Sequence, residues 1–183
     1  MILIGLTGRK RAGKTTVTRH LVDQYGLMEV SFAAPLYRGL ATMIGVDIGE
    51  LQAEDRKEAP IEWLGKSPRQ MLQTLGTEWG RGMVHDEIWI RVAARAIKRA
   101  RGAGSVGVVV SDVRFDNEAE FIVQQGGTLW TIQRPQKPTL ASDRHASESG
   151  ISTNWPARGL VNGGSFQDLY ARVDQLMEEM GAG

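Results

Sequence analysis

The sequence predicts an α/β fold, a mostly parallel sheet with helices on both faces. Two observations carry that expectation. Short apolar runs alternate with longer stretches of helical periodicity along most of the chain. The first of these runs leads directly into a glycine-rich turn and then an amphipathic segment, the order strand, loop, helix. Length and composition agree with such a domain. The chain has 183 residues, 42% of them hydrophobic, enough for a substantial core.

Leu3 to Leu6 reads as the first strand, apolar throughout as a buried parallel strand should be. Gly8-Arg9-Lys10-Arg11-Ala12-Gly13-Lys14-Thr15 then matches G-x-x-x-x-G-K-[ST], the phosphate-binding loop pattern. In such a loop the backbone amides of Gly8, Arg11, Ala12, Gly13 and the helix start through Thr16 cradle phosphate oxygens. The ammonium of Lys14 neutralises the outer phosphates, and the Thr15 hydroxyl ligates magnesium. A helix follows from Lys14 to Tyr25, closed by Gly26.

Leu27 to Phe32 reads as a second strand, and residues 33–45 as a helix with Pro35 in its first turn. Residues 47–64 are strongly polar and charged, and are read either as a solvated helical excursion or as a flap over a substrate. Ser67 and Pro68 make a cap and first turn for the next helix, with Met71, Leu72 and Leu75 on its apolar side. His85 to Ala100 has the clearest helical stripe: Ile88, Trp89, Val92, Ala93, Ala96 and Ile97. Val108 to Val110 is a central strand, Asp116 to Gln125 a helix, and Thr128 to Gln133 a strand ended by Arg134-Pro135. Gln136 to Thr153 is polar and aperiodic, a loop or a lid. Gly159 to Asn162 is a last strand before a final helix striped by Phe166, Leu169, Val173 and Met177.

In a parallel sheet the ligand crevice lies at the carboxyl ends of the strands, and several reactive side chains fall there. Asp112 ends the Val108–Val110 strand and can hold magnesium together with Thr15. Arg114 suits bidentate pairing with a phosphate, and it also reads as surface charge. Asp116 reads equally as a helix cap or a site carboxylate. Arg69, Gln73 and Arg81 cluster around QTLGTEWG and offer donors for a phosphate and a base edge, with Trp79 as a stacking surface. Arg134 and Arg144 flank the polar stretch, where arginines can close over a phosphoryl group in transfer.

Other chemistries fit poorly. The absence of cysteine excludes disulfides, thiolate metal sites and a cysteine nucleophile. Three scattered histidines make a weak metal set, and His145 with Ser147 and Glu148 are too close in sequence for a hydrolytic triad. A net charge of +1 argues against coating nucleic acid by charge alone. The apolar start, Met1 to Leu6, is too short for a membrane span or signal peptide. The expectation is a cytoplasmic protein with no membrane partner, monomer or homodimer.

The chain resembles the bacteriophage deoxynucleoside monophosphate kinases, through GRKRAGKT at 8–15, SFAAPL at 31–36, SPRQMLQTLGTEWGR at 67–81, SDVRFDNEAEFI at 111–122 and DRHASE at 143–148. The resemblance implies a single P-loop kinase domain over 1–183; within it the polar residues 47–66 are read as an acceptor-side flap and residues 134–153 as a lid. It implies transfer from Mg·ATP to a deoxynucleoside 5′-monophosphate in the host cytoplasm. Lys14 and Thr15 would then serve the donor, Arg69 and its neighbours the acceptor, and Arg134 and Arg144 the lid. Two alternatives stand beside it. A kinase of a modified base in DNA, such as 5-hydroxymethyluracil, would use the same donor loop and need a base such as Asp116. A protein that retains nucleotide without catalysis would have no need of Lys14, Thr15 and Asp112 together.

Overall fold

Five strands, all parallel, form the sheet in the order β2-β3-β1-β4-β5. They are β1 (Ile2–Thr7), β2 (Met28–Val30), β3 (Gly107–Val110), β4 (Thr128–Gln133) and β5 (Ala157–Val161). The computed structural model describes residues 1–53, 55–135, 151–152 and 154–181. The expected strands are all present, with β2 shorter than expected and β5 shifted toward the N-terminus by two residues at its start.

Strand pairing follows the apolar pattern. Val108, Val109 and Val110 are fully buried, as central strand residues covered on both faces must be. Each such side chain contributes about 1.5–3 kcal/mol of burial. On one face, Ile4 and Leu6 of β1 pack with Val17 and Leu21 of α1 (Lys14–Tyr25) and with Leu169, Val173 and Met177. The last three belong to the final helix, which spans Phe166–Glu179. On the opposite face, Gly5 leaves room for Ile122 of the helix Asp116–Gln124 and for Leu129 and Val113. Helices therefore cover both faces, as the alternation of elements required.

The strand order turns at β1. The chain lays β2 and β3 on one side of it and β4 and β5 on the other. A reversal of this kind opens a crevice outside the carboxyl end of the strand where it occurs. The loop Gly8–Gly13 leaves β1 at that point.

The chain divides into two compact units, Met1–Val30 with Arg95–Gly183, and Ser31–Ala94. The first contains the sheet. The second is helical: α2 (Ala34–Ile44), α3 (Ile48–Gln52), α4 (Pro68–Gln73), a π-helical segment (Thr74–Val84) and the start of α5 (Ile88–Gly102). The helices Asp116–Gln124 and Phe166–Glu179 are α6 and α7. The small core of the second unit is built on Leu40, Ala41 and Leu51, packed by Met71, Leu72 and Leu75. Ser67 caps α4 through its Oγ, which accepts from Gln70 N at 3.2 Å, while Gln70 Oε1 accepts from Ser67 N at 3.0 Å.

Two sequence expectations change here. The helix beginning at Pro68, expected to carry Met71, Leu72 and Leu75 on one α-helical face, widens to π after Gln73. Glycines at 76 and 80 let this segment pack closely, since a Cβ at Gly80 would lie 2.5 Å from Trp89 Cζ2 and one at Gly76 would lie 2.9 Å from Leu36 Cδ1. The indole of Trp89 is 8% exposed, and its Nε1 donates to Gly76 O at 2.7 Å. In α5 the buried stripe is Trp89, Ile90, Ala93, Ile97 and Ala100, and Val92 faces outward.

Candidate functional site

The turn after β1 is held by interactions within the sheet unit. Gly8 has φ +136° and Gly13 φ +115°, both in the region that glycine adopts freely. A Cβ on Gly8 would run into the backbone carbonyl of Ile132 in β4, and one on Gly13 into the side-chain amide of Asn162. Both glycines are thus required by close approach inside the fold as well as by any ligand. Arg11 also has a positive φ, 62°, and Ala12 is buried with the main core.

Lys14 curls back over this turn. Its Nζ donates to Gly8 O at 2.5 Å and to Arg9 O at 3.0 Å, so the ammonium is fixed above the loop. The first turn of α1 contains no acidic residue, and its N-cap position is Gly13, which has no side chain to cap it. A helix start with glycine at the N-cap and no acid in its first turn presents the positive end of its dipole to an anion. Thr15 is exposed at this position and Thr16 half-buried.

Asp112 lies at the end of the neighbouring strand. Val113 N donates to Leu6 O at 3.0 Å and Ser111 N to Val30 O at 3.0 Å, so the chain at Asp112 is held between the ends of β1 and β2. Among the described residues no group of three His, Cys, Asp or Glu side chains is arranged to hold a metal ion by itself. A cation here would draw one carboxylate and one hydroxyl from the protein and the rest from phosphate and water. That donor set fits magnesium, which keeps water and phosphate oxygens around it.

Beyond Asp112 the structure separates readings that the sequence left open. Glu118, only 2% exposed, accepts from Arg114 N at 2.7 Å and from Phe115 N at 3.1 Å. It therefore builds the turn carrying Arg114, which is half-buried. Asp116 is exposed at the first position of α6, and its Oδ1 accepts from Ser152 N and from Trp155 Nε1, each at 2.8 Å. These bonds, the one from the Ser152 backbone foremost, hold its carboxyl below the usual range. Arg134 is exposed just after β4. Arg144 and most of the 134–153 stretch lie outside the described residues.

The acceptor-side candidates all belong to the helical unit. Arg69, at the second position of α4, pairs with Glu58 at 2.8 Å with its side chain 16% exposed. Its backbone N donates to Lys57 O at 3.0 Å, which ties the polar 47–66 region to α4. Gln73 ends α4. Arg81 Nη1 donates to Asp86 O at 3.2 Å, and Trp79 is 45% exposed, both on the π-helical segment. The π turn places Trp79 and Arg81 differently from an α-helical continuation of the Arg69 and Gln73 face. Trp63, 66% exposed, is a further aromatic of this unit that the motif reading passed over. Its only sequence signal was an aromatic inside a charged stretch.

Comparison with known proteins bears on the whole chain. The family model described as deoxynucleotide monophosphate kinase matches residues 62–173. The deoxynucleoside-5′-monophosphate kinase of Escherichia phage T5 is 38% identical, over 88% of this chain and 89% of its own. A relative from Acanthamoeba polyphaga mimivirus is 34% identical over 94% of each chain. Among solved structures, a Thermus thermophilus protein overlays with a TM-score of 0.54 at 17% identity, covering 97% of each chain. A dephospho-CoA kinase from Campylobacter jejuni overlays with a TM-score of 0.52 at 12% identity, over 97% of this chain and 96% of its own. These overlays carry the fold, that of P-loop kinases. The family match and the two viral relatives carry more: the chain belongs to the deoxynucleotide monophosphate kinase family.

Proposed function

We propose that the protein moves the γ-phosphoryl group of ATP to the 5′-phosphate of a deoxynucleoside monophosphate, giving ADP and the deoxynucleoside diphosphate. The observation that supports this most is the Lys14 ammonium held over the Gly8–Gly13 turn. The acceptor oxygen is already anionic, so the protein's task is alignment and charge stabilisation. Backbone amides from Gly8, Arg11, Ala12, Gly13 and Thr16 bind the donor phosphates. Lys14 exchanges its loop carbonyls for phosphate oxygens and stabilises charge on the group in transfer. Thr15 and Asp112 would hold magnesium, which draws charge from the outer phosphates of the donor.

Arg69 and Arg81 bind the acceptor phosphate, with Gln73 at the base edge and Trp79 as a stacking face. Arg114 neutralises phosphate charge at the sheet edge. Residues 47–66 act as a flap on the acceptor side, and residues 134–153 as a lid bringing Arg134 and Arg144 to the moving group. The reaction takes place in the cytoplasm of the host cell.

The DNA-base alternative asks for a general base, because its acceptor is a hydroxyl. Asp116 is poorly suited, since hydrogen bonds from Ser152 and Trp155 already occupy its Oδ1 and lower its basicity. One panel tests the proposal: purified protein with Mg·ATP and each dNMP, each NMP, dephospho-CoA or DNA containing 5-hydroxymethyluracil. New diphosphate from at least one dNMP, lost in Lys14→Ala while the variant stays folded, is the expected result. Product on DNA alone would defeat it.

A further inference from the structure

A planar trans peptide points its carbonyl and its following N–H in opposite directions, so whatever fixes one fixes the other. The peptide between Ala12 and Gly13 is fixed by a residue from the far end of the chain. Asn162 Nδ2 donates to Ala12 O at 2.8 Å. Asn162 is itself anchored, its backbone N donating to Gln133 O at 2.7 Å just beyond the β4–β5 pairing of Gln133 with Val161. Ala12 is itself buried in the main core cluster, so the loop is held on both sides of this peptide.

We infer that Asn162 is a positioning residue for phosphoryl transfer: by holding the Ala12 carbonyl toward β5, it aims the Gly13 N–H away from itself and sets donor affinity. The inference rests on the donor-site reading above and adds a residue that no motif contains. Two further observations agree with it. Gly13 takes φ +115°, which a free loop would readily leave by flipping this peptide. The Asn162 side chain also fills the space of a Cβ at position 13, so the two residues are matched by shape as well as by hydrogen bonding.

Asn162 touches the loop at the Ala12 carbonyl, so its effect should fall on the donor and leave the acceptor side alone. Asn162→Ala removes one neutral hydrogen bond and should raise the KM for ATP by about fivefold. Asn162→Asp keeps the shape but sets a carboxylate against the Ala12 carbonyl and brings negative charge toward the phosphate loop, so the rise should be larger. In both, the KM for the dNMP should stay within about twofold of wild type, a split that a merely structural residue would not produce. An ATP KM unchanged in both variants, or ATP and dNMP KM values rising together, would overturn the inference. Lys14→Ala, assayed alongside, separates it from the underlying reading. Retained turnover there means that the donor site itself is misassigned, whereas lost turnover with normal Asn162 variants sinks the inference alone. A measurement on the wild-type protein guards against variants that fold poorly. The Asn162 side-chain amide should exchange slowly with solvent and shift in NMR spectra on titration with ADP. A fast-exchanging resonance that ADP leaves unmoved would equally overturn the inference.

Discussion

Adding a single methyl group at Gly80 tests how tightly the π-helical segment Thr74–Val84 packs against Trp89. The new Cβ would sit 2.5 Å from Trp89 Cζ2, 2.9 Å from Trp89 Cε2 and 3.0 Å from Leu75 O. Trp89 has little freedom to yield, since it is 8% exposed and its indole N–H is committed to Gly76 O. Overpacking of this kind costs about 1–3 kcal/mol. Replacing glycine also restricts the unfolded chain, which returns roughly 0.4–1 kcal/mol. The packing cost wins, leaving a net loss of about 1–2 kcal/mol, or about 2–8 °C in melting temperature for a chain of this size. Gly82→Ala is the matched control. Its Cβ would meet only Thr77 O, at 3.6 Å, so only the gain applies and stability should hold or rise slightly. Gly76→Ala should fall between them, because its obstacle, Leu36 Cδ1 at 2.9 Å, is the flexible end of a side chain. Thermal unfolding followed by circular dichroism gives the order. Because Trp79 and Arg81 ride on this segment, Gly80→Ala should also raise the KM for the dNMP more than that for ATP. A Gly80→Ala protein that melts at or above wild type would refute the packing argument.

Trp89→Phe keeps most of the buried ring but leaves the Gly76 carbonyl without its donor, and should cost about 1–3 kcal/mol in chemical denaturation. A loss no larger than that of an exposed tryptophan such as Trp63→Phe would contradict this. Alkaline stability should depend on Tyr25, whose hydroxyl is pushed up from 10.0 to about 12, first by burial and then by its hydrogen bond to Asp174. Raised in the folded state, it contributes stability fully below pH 10 and loses it as pH climbs from 10 toward 12. Tyr25→Phe should flatten that limb of the stability curve. Asp174 behaves in the opposite sense. Burial pushes its carboxyl up, but hydrogen bonds from His20 and Tyr25 prevail and hold it below the usual range. Its contribution is present above the ordinary carboxylate range and fades as pH falls through its lowered value, so Asp174→Asn should blunt acid unfolding. Asp116→Asn retains an oxygen acceptor for Ser152 N and Trp155 Nε1 and should keep turnover within about threefold of wild type. A loss of a hundredfold or more would make Asp116 a catalytic base.

The parts of the site that could be read from the chain are those whose chemistry is local. Gly8, Gly13, Lys14 and Thr15 announce the phosphate loop because strand, turn and helix follow within a few residues, and Asp112 is legible as the polar end of an apolar strand. The parallel sheet was legible for a related reason: Val108–Val110 and Leu3–Leu6 are apolar without alternation, as burial on both faces demands. What the chain concealed depends on contacts between distant segments. Nothing in TLGTEWGR specifies a π-helix, nor that its glycines pack against Leu36 and Trp89. Asp116 reads equally as a cap or a site carboxylate in the sequence because its partners, Ser152 and Trp155, come from beyond a long polar stretch.

Asn162 illustrates the same division within the phosphate loop. The motif prescribes glycine at positions 8 and 13, and the usual reason given is room for the ligand. In this protein the space beside Gly13 is taken by Asn162 and that beside Gly8 by the Ile132 carbonyl, so neither glycine could gain a side chain even with the crevice open. The loop is therefore shaped from behind, by β4 and the turn after β5, before any phosphate arrives. A preformed loop spends little of its binding energy on ordering itself. This is the physical ground for assigning Asn162, which lies behind the loop, an effect on donor affinity.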